Sequence, residues 1–246
     1  MALTFDGTDD KVDHGDIDAI DGTAALTVGV WAWLDTSDTS RREFWGKGLS
    51  PIMYGTNFGA GGTNIVEVSG SDFGTVAAAI TAQVWEYHAV VYDGSLGTNA
   101  DRMKLFRNLS PLTVAFTGTI PATLTGSATV FTFGSTNGSH FWKGHLAFGR
   151  IWTAALSIEE LAREMWSYVP VRAANLILDS PYDDETARDY SGAANHGTIT
   201  GATLVGGPPG INYGTRVLTP RGRRTMHSLR AARVPALRRT AYGLGL

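Results

Sequence analysis

The sequence has no cysteine, so disulfides and thiolate metal sites are excluded. It has no run of about 18 apolar residues, so no segment reads as a membrane-spanning helix. No cationic and then apolar leader opens the chain, since Asp6, Asp9 and Asp10 follow at once; no signal peptide is expected. Catalytic spacings are also missing. There is no G-x-S-x-G elbow, no H-E-x-x-H pair, no G-x-x-x-x-G-K-[ST] loop and no G-x-G-x-x-G after a strand. The last stretch, 216–246, lacks any acidic residue.

What is present is a β-rich pattern. Of 246 residues, 43% are hydrophobic, with seven Trp and ten Phe, enough for a sizeable core. Thirty Gly suit many short strands joined by turns. Leu26, Val28, Val30, Ala32 and Leu34 alternate onto one face of a strand, and Trp31 and Trp33 onto the other. Further strands are expected at 3–12, 43–47, 52–58, 64–68, 75–80, 85–92, 103–107, 114–116, 128–133, 141–152 and 175–181. One helix stands out. Ser157 and Glu160 form a capping box, Leu156 and Leu161 a hydrophobic staple, and Ile158, Leu161, Ala162 and Met165 an apolar stripe. Gly206-Gly-Pro-Pro-Gly210 marks a boundary.

The net charge of −3 hides an asymmetry. Eight arginines fall beyond that boundary: Arg216, Arg221, Arg223, Arg224, Arg230, Arg233, Arg238 and Arg239. Residues 1–215 keep 12 Lys and Arg against 23 Asp and Glu. A basic arm on an acidic body suits docking to an acidic surface. Its interspersed Leu229, Val234, Leu237, Tyr242 and Leu244 suit a protein groove better than nucleic acid or a membrane.

Several stretches resemble one family. F-W-K-G-H-L-A-F-G-R-I-W-T-A-A-L-S-I-E-E-L (141–161) is similar to the closing strand and helix of laminin-G-like members of the concanavalin A-like lectin/glucanase superfamily. L-T-F-D-G-T-D-D-K-V (3–12) resembles its opening strand. Residues 26–34, 85–94 and 104–108 resemble its core strands in order. Asp189-Tyr-Ser-Gly-Ala-Ala-Asn-His-Gly197 resembles a loop that usually precedes the opening strand, so the order looks permuted. The resemblance implies an all-β protein: an antiparallel β-sandwich of concanavalin A-like jelly-roll type. It would carry one short helix and an extended basic C-terminal arm. The expected domains are 1–205, with 175–205 folding back to complete the sandwich, the alternative being the vestige of a second repeat, and 206–246 as linker and arm.

The resemblance also frames function. Laminin-G-like domains of this terse kind resemble those on bacteriophage virions. The first expectation is a non-enzymatic virion structural protein, a capsid decoration or tail/fibre component, docking through its arm on viral capsid or tail proteins and on copies of itself. The alternative is a carbohydrate-binding module for host or environmental glycans. A glycoside hydrolase is the third reading, but the family's E-x-D-x-x-E strand pattern is missing. Many relatives hold a structural Ca²⁺, for which Asp6, Asp9 and Asp10, with Asp13 nearby, supply hard oxygens. Ala147-Phe148 stands where relatives often have an acidic pair, and turn capping is the competing reading. For glycan stacking, Trp45, Tyr54, Phe58, Phe73 and Trp142 lie near polar loops. Trp31, Trp33, Trp85 and Trp152 are expected in the core.

Overall fold

The structure, a computed structural model, describes residues 1–36, 40–48, 50–57, 63–70, 72–77, 80–136, 138–211, 217–218 and 224–225. In chain order the strands are β1 (Ala2–Asp6), β2 (Lys11–Asp13), β3 (Ala25–Leu34), β4 (Arg41–Gly46), β5 (Ile52–Asn57), β6 (Thr63–Val68), β7 (Asp72–Ala77), β8 (Trp85–Asp93) and β9 (Met103–Arg107). They continue with β10 (Ser110–Pro111), β11 (Ala115–Thr117), β12 (Thr132–Phe133), β13 (Lys143–Trp152), β14 (Leu176–Ser180), β15 (Thr198–Thr200) and β16 (Thr203–Val205). Two helices interrupt them, the short α1 (Asn99–Arg102) and α2 (Ile158–Met165). These elements belong to one compact unit, Met1–Asn212; a second, Tyr213–Leu246, contains a two-strand ladder of β17 (Val217–Leu218) and β18 (Arg224–Thr225). The rest of the expected arm lies outside the described residues.

Two eight-stranded antiparallel sheets form a sandwich. The first runs β10-β9-β8-β3-β13-β1-β16, with β14 also on β13; the second runs β11-β7-β6-β5-β4-β12-β2-β15. The alternation in β3 sets the layers. Leu26, Val28, Val30, Ala32 and Leu34 all enter the core between the sheets. There they meet Phe44, Tyr54, Val66, Val90, Phe131, Phe133 and Trp142. Trp31 points the other way, into a second cluster on the outer face of the first sheet.

The segment after α2 pairs with the early strands. β14 lies on β13, β15 on β2 and β16 on β1. A bulge in β13 between Ala147 and Arg150 changes its partner, from β1 at 143–146 to β14 at 149–152. Phe148 sits in this bulge at φ +56°. Gly149 must stay small there, because a Cβ would meet Phe133 Cζ at 2.7 Å and Tyr182 Oη at 2.8 Å.

The Asp189–Gly197 loop explains its own residues. Asp189 is buried and accepts N–H bonds from Asp179 at 3.0 Å, Ser191 at 2.7 Å and Asn195 at 3.0 Å. Asn195 donates to the Ile177 carbonyl, and its own carbonyl lies 2.9 Å from His14 Nδ1. Asp189 and Asn195 therefore tie β14 to the end of β2. His14 is buried beside Tyr182, and burial lowers its pKa to about 4.

Helix α2 carries the expected capping box: Glu160 N–H donates to Ser157 Oγ, and Ser157 N–H to Glu160 Oε2. Leu156, Leu161 and Met165 pack it onto the outer face of the first sheet. Ile158, expected in the apolar stripe, is instead exposed. The strand expected over 128–133 shortens to β12. Ser127 Oγ accepts the Thr129 N–H at 3.1 Å, and this local turn competes with the ladder.

Candidate functional site

The outer face of the first sheet is only partly covered. Where α2 lies over it, Trp31 is sealed, its Nε1 donating to the Met165 carbonyl at 2.9 Å. Among the described residues the cover stops beyond the end of α2. Trp166, the helix C-cap, is 49% exposed and lies 5.1 Å from Trp31, ring to ring. Gly210 backs it at 3.2 Å from its Cζ3, measured from where a Cβ would stand. Between Trp31, Trp85 and Trp166 opens a pocket of about 370 Å³, closed by Asn108, Leu109, Met165 and Pro209.

The turn from β9 to β10 places a polar side chain at the pocket. Asn108 and Leu109 take φ +48° and +68°, as a two-residue hairpin of this twist requires. Asn108 Oδ1 accepts the Tyr87 N–H at 2.8 Å. That fixes the amide, and among the described residues its Nδ2 meets no partner. Among the described residues, no charged side chain lines the pocket.

A cross-strand row continues from Trp85. Trp33 pairs with Trp85, His145 with Trp33, Thr4 with His145 and Thr203 with Thr4. The Trp33 and His145 rings stack at 4.4 Å and 14°. Burial lowers the His145 pKa, and its Nδ1 has no hydrogen-bond partner.

These positions reverse the expected roles of four tryptophans. Trp45, Tyr54 and Trp142, expected beside loops as stacking platforms, are buried between the sheets. Phe58 lies outside the described residues, as does the Phe73 side chain. Trp33 and Trp85, expected in the core, are half-buried on the outer face. Trp31 and Trp152 are buried, in the cluster beneath α2. The alternation assigned each side chain to a face; it could not say which face another element covers.

Three groups of acidic residues bear on the metal and acid–base readings. Asp6, Asp9 and Asp10 bring carboxylate oxygens within 4.8 Å of one another. This donor chemistry suits Ca²⁺, which would need further oxygens from the loop. Two of the three already hold their own turn: Asp6 Oδ1 accepts Thr8 N–H and Asp10 Oδ2 accepts Asp6 N–H, each at 2.7 Å. Burial raises the Asp10 pKa, and the Asp6 and Asp9 charges add to the shift. Asp13 caps Gly15 in the same manner. In the second group, Asp16 and Asp21 receive the buried Lys47 ammonium, 2.7 and 2.6 Å away, which supplies a cation from the chain itself.

The third group was not singled out from the sequence, because Glu67 and His140 are far in the chain from Arg41 and Glu43. Arg41 Nε donates to Glu43 Oε1 at 2.9 Å and Arg41 Nη1 to Glu67 Oε1 at 3.2 Å. His140 Nδ1 lies 3.1 Å from Glu43 Oε1. Burial pushes the Glu43 carboxyl up to about 7, against the weaker pull of Thr136 and Arg41. The guanidinium holds both carboxylates, so the group reads as a buried ion pair rather than an open acid–base pair.

The family model of the concanavalin A-like lectin/glucanases superfamily matches residues 6–162. The chain belongs to this superfamily. No curated protein matches the sequence. Among solved structures, this concanavalin A-like chain is similar to a candidate carbohydrate-binding protein from Bacteroides ovatus, at 15% identity and a TM-score of 0.66. The match covers 82% of this chain and 58% of that protein. A heptameric SAP-like pentraxin from Limulus polyphemus matches at 16% identity and 0.50, covering 65% and 79%. A carbohydrate-binding module (CBM40) of a Ruminococcus gnavus sialidase, bound to α2,3-sialyllactose, matches at 13% and 0.44, covering 66% and 97%. At these identities the likeness concerns the concanavalin A-like fold alone.

Proposed function

We propose that this protein is a non-catalytic carbohydrate-binding module that holds an uncharged sugar ring in the pocket of Trp31, Trp85 and Trp166. The observation that carries the reading is that pocket: three indoles around about 370 Å³, on a lectin-type sandwich. The C–H face of a pyranose stacks on an indole, while a fixed polar group orients its hydroxyls. The Asn108 amide is placed for the second task. The uncharged lining among the described residues favours neutral sugars over acidic ones. Glu43 and Glu67 are both engaged by Arg41, which supports binding rather than hydrolysis.

The test is a screen of immobilised glycans followed by calorimetry. Trp166→Ala is expected to lower affinity at least about tenfold, since ring stacking supplies much of such binding. Its melting temperature should stay near that of the parent, because Trp166 is half exposed. Unchanged affinity would move the site elsewhere.

A virion role rests on the resemblance to phage-borne domains, with the arm's charge as its means of docking, and is a separate proposal. Eight arginines without an acid suit an acidic docking partner such as a capsid or tail surface. Charge-reversing Arg223, Arg224, Arg238 and Arg239 should abolish attachment to particles if that reading holds.

A further inference from the structure

The pocket does not end at Trp85. That residue also begins the cross-strand row of Trp85, Trp33, His145, Thr4 and Thr203. Residues directly opposite in antiparallel strands share a face, so all five stand on the outer side of the first sheet. The first four are half-buried and Thr203 is exposed. The row crosses β8, β3, β13, β1 and β16; at the usual strand spacing it is about 19 Å long. That is far longer than one sugar ring.

The composition of the row also points to a ligand. An ordinary outer face of an antiparallel sheet would carry charged or polar residues here. This one carries two indoles and an imidazole, then two hydroxyls. The imidazole is stacked on Trp33, lies 5.9 Å from Trp85, and has an unpaired buried Nδ1. The Thr4 and Thr203 hydroxyls can each donate and accept beyond the aromatic part. A ring seated in the pocket therefore has, in one direction, a continuous strip of stacking edges and then hydrogen-bonding groups.

From this placement we infer that the ligand is a linear glycan chain, which crosses the strands from the Trp166 pocket toward Thr203. The inference rests on the proposed glycan-binding reading and specifies it: the protein recognises several consecutive sugar units of a polysaccharide, not one terminal residue. The pocket anchors one unit and the row adds affinity with each further unit.

The experiment uses the full chain and neutral oligosaccharide series: cello-, laminari-, malto- and xylo-oligosaccharides from mono- to hexasaccharide. Affinity is expected to rise about tenfold or more with length in the series that binds, since each added stacking contact contributes in the range of an aromatic pair. Trp33→Ala should remove this gain, so that the hexasaccharide binds little more tightly than the monosaccharide. His145→Ala, a milder change on the same row, should remove part of it, so misfolding of one variant does not decide the matter. Trp166→Ala should weaken every length. If some series binds in a Trp166-dependent way but with length-independent affinity, or if the row variants bind the hexasaccharide like the parent, the chain inference fails and the pocket reading stands. If no series gives Trp166-dependent binding, the pocket reading fails, and the inference with it.

Discussion

Glu43 is the side chain whose burial has the clearest thermodynamic consequence. Its folded pKa of about 7 stands above the ordinary 4.5. A carboxyl raised in this way stabilises the fold below pH 4.5, and that contribution is lost as pH rises toward 7. Glu43→Gln, which cannot ionise, should therefore gain on the parent as pH increases. The difference in stability should grow by up to about 3 kcal/mol between pH 4.5 and 8. Thermal melts of both proteins across that range check the sign; a difference that is flat or shrinks with pH would show that Arg41 keeps Glu43 ionised throughout. His14 acts in the opposite sense. Its pKa of about 4 favours the fold above pH 6.5, and that support is lost as pH falls through 4. Such residues were only half legible in the sequence. Nothing local in R-R-E-F-W marks Glu43 as buried, because its surroundings come from β6 and from His140. The tryptophans were legible by face and misread by depth. Period-two alternation separates Trp31 and Trp33 from Val30 and Ala32. Whether that second face meets α2 or solvent is decided more than a hundred residues later.

Among the elements, α2 was the most legible, since capping is written within four residues. It also supports the site, because Trp166 is its C-cap and Met165 lines the pocket. Ser157→Ala should cost about 1 kcal/mol through the lost cap. In a protein of this size that lowers the melting temperature by about 2–4 °C. Glycan affinity should fall with it, but less than in Trp166→Ala, because the indole is loosened and not removed. A melting temperature unchanged by the substitution would show that packing of Leu156 and Leu161 holds the helix without the cap. Strands were legible as runs of alternation and illegible as partners. The β6–β7 turn shows the limit. It was expected to span 69–74, yet β7 begins at Asp72. Ser69 and Gly70 take φ +54° and +77°, which lets the chain reverse in fewer residues. The Asp189–Gly197 stretch was recognisable as a loop only through resemblance; its physical content lies in Asp189, whose carboxylate gathers N–H groups from three places.

At the scale of the whole chain, late residues complete early sheets. β14, β15 and β16 supply the partners of β13, β2 and β1, and Leu178, Tyr182 and Ala187 enter the core. The family match ends before all of them. Two truncations separate what the sandwich needs from what it carries. A chain ending at residue 174 leaves the edges of β1 and β2 unpaired, opens the core under Tyr182, and takes Asp179 from the buried Arg150, which keeps Glu164. That chain is expected to be insoluble or to lack a cooperative melt. A chain ending at Asn212 keeps every strand of the first unit, and Ile211 with it, which is packed in the cluster beneath α2. It should melt like the full chain and bind glycan with the same affinity. A cooperative melt from the shorter fragment would mean that residues 1–174 close a sandwich without β14–β16. Lost glycan binding in the longer one would place part of the site within 213–246.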